Sequence, residues 1–448
     1  MPDAQSQPTP GEQRDVTIIG GGFSGTIVAA ELARSGVSAW LVEGDDRLAR
    51  GMAYATEEPA HLLNVPAHNM SAFADDPDHF LRRFEAIGGK RDGFAERRFY
   101  GAYLGDILRE AQDSGKAIPV AGEAVGAERR DGIWEAALAD GRRLRSRALV
   151  LAIGNEAPGG LAALDRAGDR YVRNPWGSEA ARSVEIAAQQ DGGVLIVGTG
   201  LTMVDTVLSL DEAGFAGRMM ALSRRGLSPR AHAAAEPAPV ALGDVPQGSV
   251  AALFRWLRTR SGRVGWRAAV DSLRPHSHVL WQSLKLDEQR RFLRHARPWW
   301  DVHRHRIAPA VAERIADLIA TGRLEIAAGR IVAARPETGA VVVEIARRGS
   351  SAPKPYRFAA IINCTGPLHA ISRSANPLLR SLLDGGAARP DALDIGIAVD
   401  ERSRVAGADQ LWAMGSLTKG RYWEIIAVPD IRAQAAAIAA QIAEELAQ

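Results

Sequence analysis

Apolar positions along the chain fall into strand-like and helix-like rhythms, and one combination of them occurs twice. Asp15–Ile19 (DVTII) is a short β-branched run that stops at Gly20-Gly21-Gly22-Phe23-Ser24-Gly25. Thr26–Ser35 then repeats apolar residues at helical spacing up to Gly36, and Val37–Glu43 (VSAWLVE) reads as a second strand. Strand, turn, helix and strand in that order predict a βαβ unit of about thirty residues. The same grammar returns later. Gly193–Val197 (GVLIV) predicts a strand, Gly198-Thr199-Gly200 a turn, Leu201–Asp211 a helix and Met219–Ser223 (MMALS) the next strand. Two such units predict an α/β protein with two Rossmann-like, three-layer domains and two nucleotide sites.

Between the units, Ile118–Leu144 is strand-rich, with turns at Asp131-Gly132 and Asp140-Gly141, and leads into Ala148–Ile153 (ALVLAI), a buried strand. Ile331–Arg347 alternates like antiparallel strands and is followed by Phe358–Asn363 (FAAIIN). Residues 245–320 are rich in Trp and Arg at helical spacing and predict a helical insert. Ile431–Leu446 is Ala-rich and predicts a packing helix. Residues 1–13 lack a positive start and an apolar stretch, so they read as a disordered leader, not a secretory signal.

The first glycine run carries chemistry because each residue type has a physical task. Gly20 permits the tight turn, Gly22 lets backbone approach a pyrophosphate, and Gly25 lets helix and strand pack closely. Phe23 and Ser24 open the helix, whose N-terminal N–H groups and dipole favour phosphate. Glu43 is placed to accept ribose hydroxyls, and an acid there repels a 2′-phosphate, so FAD or NAD is expected. Its N-terminal position favours FAD, because Ala148–Ile153 ending in Gly154-Asn155 resembles the second flavoprotein signature. Gly154 lets the chain turn close beneath the cofactor.

At the second run Gly198 and Gly200 make the turn, and Leu201 and Thr202 open the helix. Met203 stands where Gly or Ala usually packs the helix, which predicts a wider helix–strand spacing. The following strand ends in Ser223-Arg224-Arg225-Gly226, with no acid. A guanidinium pair can clamp an adenosine 2′-phosphate bidentately. Hydrogen bonds to charged groups contribute about 1.5–3 kcal/mol, a factor of about 10 to 100, so NADPH is expected over NADH.

Composition narrows the partners. With 55 basic and 53 acidic residues among 448, the net charge is +2, and neither nucleic acid nor a membrane is expected as partner. The densest basic stretch, Arg290 to Arg306, is interleaved with Phe292, Trp299 and Trp300 and reads as a solvated helix face with a core stripe. The single cysteine, Cys364, permits no intramolecular disulfide and fits a reducing cytoplasm; it also excludes a dithiol redox centre. No apolar run reaches the roughly 18 residues that span a bilayer. His303-Arg304-His305 has no third ligand at suitable spacing, so no metal is expected. No residue is singled out as catalytic, and oligomeric state leaves no trace in the sequence.

Further runs complete the picture: Gly51-Met52-Ala53-Tyr54, His61-Leu62-Leu63-Asn64-Val65-Pro66-Ala67, Arg98-Phe99-Tyr100-Gly101, Asn174-Pro175-Trp176, Trp300-Asp301-Val302-His303, Asn363-Cys364-Thr365-Gly366-Pro367 and Trp423-Glu424. With the two glycine turns, the chain resembles the bacterial FAD-NAD(P)-binding flavoprotein family, related to the class B, two-dinucleotide flavin monooxygenases. The resemblance implies an FAD domain built from residues 14–180 and 355–448, with the NADPH domain, 181–354, inserted. It also implies FAD contacts from Asn64, Gly366 and Gly415, the last at a helix start whose N–H groups face the flavin. The Phe-x-Gly-x-x-x-His-x-x-x-Trp fingerprint of Baeyer–Villiger enzymes is absent. The implied activity is hydroxylation of a small molecule with O2 through a peroxyflavin. The alternatives are a reductase serving a small acceptor and a non-catalytic flavin or nucleotide sensor.

Overall fold

A computed structural model describes residues 12–176, 192–350, 352–367 and 370–448. Thirteen strands among these residues form two sheets: β1 (Gln13–Ile19), β2 (Ala39–Glu43), β3 (Ala117–Ala121), β4 (Ala124–Arg130), β5 (Ile133–Leu138), β6 (Arg143–Leu151), β7 (Tyr171–Val172), β8 (Gly193–Val197), β9 (Met219–Ser223), β10 (Leu324–Glu337), β11 (Ala340–Arg347), β12 (Lys354–Asn363) and β13 (Leu411–Ala413).

The first sheet runs β3-β2-β1-β6-β5-β4, with β13 also on β6. Strands β1, β2, β3 and β6 pair in parallel around β1. β6 divides its edge: its first half pairs antiparallel with β5, its second half parallel with β13. Continuous apolar runs such as Ala39–Val42 and Ala148–Leu151 follow from cover on both faces. Helices Phe23–Arg34, Arg97–Asp113 and Val428–Leu446 pack on one face. Helix Pro377–Asp384 and the segment around Ile397 to Leu417 pack on the other.

The second sheet runs β11-β10-β9-β8-β12-β7, and β11 also pairs with β12. Helices Leu201–Glu212 and Pro309–Ala320 cover one face, while the β10–β11–β12 meander folds over the other. Sheet membership moves the expected boundaries. β7 and β12 both lie in the second sheet, although residues up to 180 and from 355 were expected in the first domain. The chain therefore crosses into the second unit after Asn155 and returns after Pro367, because β12 takes the place beside β8 that β6 takes beside β1. Residues 1–11 of the expected leader lie outside the described residues, and Gln13 already belongs to β1.

The insert holds short helices between Val250 and Arg304 with a core of their own. Trp281 and Trp300 are buried there, and Trp281 stacks on Trp423 from the returning chain at 5.0 Å between ring centroids. The insert ends before residue 320, since Val311, Ile315 and Leu318 of the next helix pack in the second sheet's core. Among the described residues no helix is long and apolar enough to cross a membrane.

Two nucleotide-cradling turns and the cleft between them

The first turn is fixed by close backbone approach. Gly20 has φ +102°, and a Cβ there would lie 2.4 Å from the Ala152 carbonyl oxygen. A Cβ on Gly25 would lie 1.8 Å from the Gly20 oxygen, so only glycine lets this helix press onto β1. Gly22 is the helix N-cap and offers no side-chain cap, and no acid stands in the first turn, where Phe23 and Ser24 lie. The leading N–H groups are thus left for an external anion. Glu43 accepts from the Gly21 N–H at 2.9 Å with one oxygen and from the Gly44 N–H at 2.9 Å with the other. Burial raises its pKa, Asp45 adds to this, and those N–H groups oppose it. A carboxylate so held still has lone pairs for ribose hydroxyls.

Gly154 (φ +70°) and Gly415 (φ +60°) converge on this turn. The Ser416 hydroxyl donates to the Gly154 oxygen, and a Cβ on Gly415 would meet Ser24 Oγ at 3.1 Å. The Gly415 N–H, expected to face a flavin, donates instead to Gln434 Oε1 at 2.8 Å. The contribution left to Gly415 is its bare backbone. Asn64 lies in the loop after the Leu62 bridge to Glu96, and its carbonyl accepts from His232 Nε2 at 3.0 Å, which ties that loop to the second unit.

The second turn repeats the first bond for bond. Gly20 N–H donates to Val42 and Ala152 N–H to Ile19; Gly198 N–H donates to Leu222 at 2.8 Å and Cys364 N–H to Val197 at 2.7 Å. A Cβ on Gly198 would lie 2.1 Å from the Cys364 oxygen. Cys364 is thus the counterpart of Ala152, and Gly366 (φ +86°) the counterpart of Gly154. This corrects the expectation for Gly366: it stands at the second turn, not at the FAD turn. Met203 is fully buried where Gly25 stands in the first unit. A real Cβ cannot sit 1.8 Å from an oxygen, so the backbone approach made at Gly25 cannot be repeated at Met203.

Gly200, the uncapped N-cap of helix Leu201–Glu212, meets nothing within 4 Å of where its Cβ would be. It opens, with Leu201, Thr202 and Gly366, on a cleft of about 770 Å3. Ser223 lies at one end, 2.9 Å from the Thr199 hydroxyl, and accepts from the Gly226 N–H at 3.0 Å. Arg224, Arg225 and Arg330 line that end. Arg225 donates to the His295 oxygen at 2.9 Å, whereas Arg224 and Arg330 have no hydrogen bond or ion pair among the described residues. Arg297, Asp301 and His305, from the end of the helical insert, line the cleft as well. Sequence reasoning did not find Arg330, Arg297 or Asp301 as site residues. The β10 strand places Arg330 two residues beyond Ala328, the partner of Ser223, and no motif announces that proximity.

A smaller polar cavity of about 440 Å3 lies between the two units. On its wall Arg97 holds Asp205 bidentately at 2.9 and 3.0 Å, and also donates to the Leu62 oxygen. The thiol of Cys364 is buried, 3.3 Å from Thr206 Oγ1, and burial pushes it up to about 12. Among the described residues no three His, Cys, Asp or Glu side chains are placed to hold a metal ion. His303 instead contacts the Trp299 oxygen at 2.7 Å. Arg304 pairs with the buried Glu424 at 3.0 Å.

Two uncapped glycine turns, each at the parallel part of a mixed sheet, define a two-dinucleotide α/β fold. Residues 17–156, from β1 through Gly154-Asn155, match the model of the FAD-NAD(P)-binding family. No curated protein matches the chain. Among solved structures, the fold is similar to L-lysine 6-monooxygenase from Pseudomonas syringae: TM-score 0.68 and 18% identity, covering 97% of this chain and 100% of that one. The ornithine N-hydroxylase of Kutzneria sp. 744, solved with reduced FAD, NADP+ and L-ornithine, gives TM-score 0.63 and 14% identity over 98% and 100%. Thioredoxin reductase from T. acidophilum shares the fold at TM-score 0.54 and 12% identity over 97% and 99%.

Proposed function

We propose that the chain is an FAD-dependent, NADPH-using oxidoreductase, and specifically a monooxygenase that hydroxylates a small molecule. The observation that carries this reading is the repeated turn. The same backbone bonds recur at Gly20 and Gly198, each before an uncapped helix N-terminus, while the charges at the following strand ends are opposite. Glu43 faces the first site and disfavours a phosphorylated ribose. Arg224 and Arg330 reach the second without partners and favour one.

FAD would be held at Gly20, Gly22, Phe23, Ser24, Gly25, Glu43 and Gly154, and would supply hydride acceptance and reaction with O2 there. The protein's own residues orient and enclose. Gly200, Leu201 and Thr202 would present N–H groups to the NADPH pyrophosphate, while Gly198, whose own N–H is bound to Leu222, shapes the turn and Gly366 keeps the cleft open beside them. Helix Arg297–Arg304 lines the cleft, where it would help to limit water, which hydride transfer needs more than it needs an acid or base. The fold alone accommodates reductases too. A disulfide reductase is disfavoured, because the only cysteine is a buried thiol.

The test is spectroscopic. Purified protein is expected to be yellow, and anaerobic NADPH to bleach it. On readmission of air, a transient absorbance distinct from the oxidised and reduced spectra supports the monooxygenase, and monotonic reoxidation supports a reductase. A flavin that NADPH leaves oxidised defeats the proposal and supports a sensor.

A further inference from the structure

Lys419 stands between the two nucleotide sites with its charge unpaired. It follows the short Gly415–Thr418 turn, and its Nζ donates to Asn155 Oδ1 at 3.0 Å. Asn155 directly follows Gly154, so the lysine is fastened to the turn of the first site. From the other side it is approached by Arg297 and Asp301, both of which line the second cleft. Asp301 already engages Arg297 Nε at 3.2 Å. Lys419 itself makes no ion pair among the described residues. Burial first, then Arg297, push its ammonium down to about 8, and Asp301 opposes them. A cation in this position has no anion of its own, since Asp301 already engages Arg297, and the Asn155 bond uses one of its three donors.

The chemistry of the junction supplies that anion. Hydride passing from NADPH to FAD leaves NADP+ and the reduced flavin as FADH−; two electrons and one proton move together, and no further reactant is needed. We infer that Lys419 is the counter-cation of the reduced flavin, held at the junction by Asn155. The inference rests on the FAD reading above. A charge placed there favours the reduced state over the oxidised one, because only the former is anionic. A purely structural lysine, bracing the Ser416 turn against Asn155, leaves that balance alone.

The experiment uses FAD-loaded wild type, Lys419→Met, Lys419→Gln and Lys419→Arg, with reductive titration against a reference dye. Loss of the charge is expected to shift the oxidised-to-reduced ratio at fixed potential at least tenfold toward oxidised, about 30 mV for a two-electron couple. Lys419→Arg keeps the wild-type potential. The apparent pKa of the reduced flavin rises in the Met and Gln variants. Lys419→Gln retains a donor for Asn155 and carries the same measurement should the Met variant fail to fold. A Gln or Met variant replete with FAD and titrating at the wild-type potential overturns this inference alone. A wild-type chain that binds no FAD overturns the functional reading, and this inference with it.

Discussion

The adenosine end of the second cleft offers the most direct quantitative test. Arg224 and Arg330 line it and make no hydrogen bond or ion pair among the described residues, so truncating either leaves no partner stranded. Arg225 is a poorer probe, because its loss also frees the His295 carbonyl of the insert. A hydrogen bond to a charged group contributes about 1.5–3 kcal/mol, but both arginines are exposed, and screening brings each toward about 1–1.5 kcal/mol. That corresponds to a factor of about tenfold in NADPH affinity for each single substitution to Ala. The two arms of one clamp share a ligand and should not add fully. NADH lacks the 2′-phosphate and should be bound by the variants as by wild type. Equilibrium titration of both nucleotides, followed by tryptophan or flavin fluorescence, measures the ratio. Added salt should erode the preference in wild type more than in the variants. Equal weakening of NADPH and NADH would show that these side chains serve the pyrophosphate or the fold, and would refute the clamp.

Three further outcomes follow from the packing. Gly25→Ala places a Cβ 1.8 Å from the Gly20 oxygen; the helix must lift, and the purified variant should lose its flavin absorbance while wild type keeps it. Asp205→Ala leaves Arg97 uncompensated in a nearly buried place; breaking such a pair costs about 3–5 kcal/mol, seen as a lower denaturant midpoint, and Asp205→Asn should recover part of it. Lys419 has a folded pKa of about 8 against an ordinary 10.5, so between those values the unfolded chain binds a proton that the folded chain does not. Its burial penalty is complete below pH 8 and fades as pH rises to 10.5. Lys419→Met should therefore melt no lower than wild type at pH 7, with its relative advantage shrinking by pH 10; a margin that ignores pH contradicts the burial.

Local grammar made the two βαβ units legible. Strands Gly193–Val197 and Met219–Ser223 are found as the apolar runs predict, since strands covered on both faces must be continuously apolar. What the sequence hid was pairing between distant segments. Phe358–Asn363 reads as a buried strand, yet nothing in FAAIIN says which sheet it joins. Its pairing with β7, β8 and β11 assigns it, and Gly366 with it, to the second unit. The core stripe expected at Trp299 and Trp300 holds for Trp300 and not for Trp299, which is exposed. Trp281 and Trp300 prove to be core, because Trp423 and Glu424 return from the far end of the chain to pack and bond with them. Arg330 and Lys419 escaped for the same reason: each is an ordinary cation in sequence and acquires meaning only through a neighbour contributed by another element.

The two turns also explain how one scaffold can keep two similar ligands apart. Their backbones are near copies, so the turn itself gives little basis for choice. Discrimination falls to the strand end and to the helix that follows. In the first unit Gly25 allows the helix to touch the strand, and Glu43, with Asp45 and Asp46 just beyond, makes the ribose end acidic. In the second, Met203 cannot repeat that approach, Ser223 replaces the acid, and three guanidinium groups line the same end. Under the proposed function a dianionic 2′-phosphate would be repelled by the one and drawn to the other, so charge at a strand end, rather than shape at the glycine turn, would sort the nucleotides.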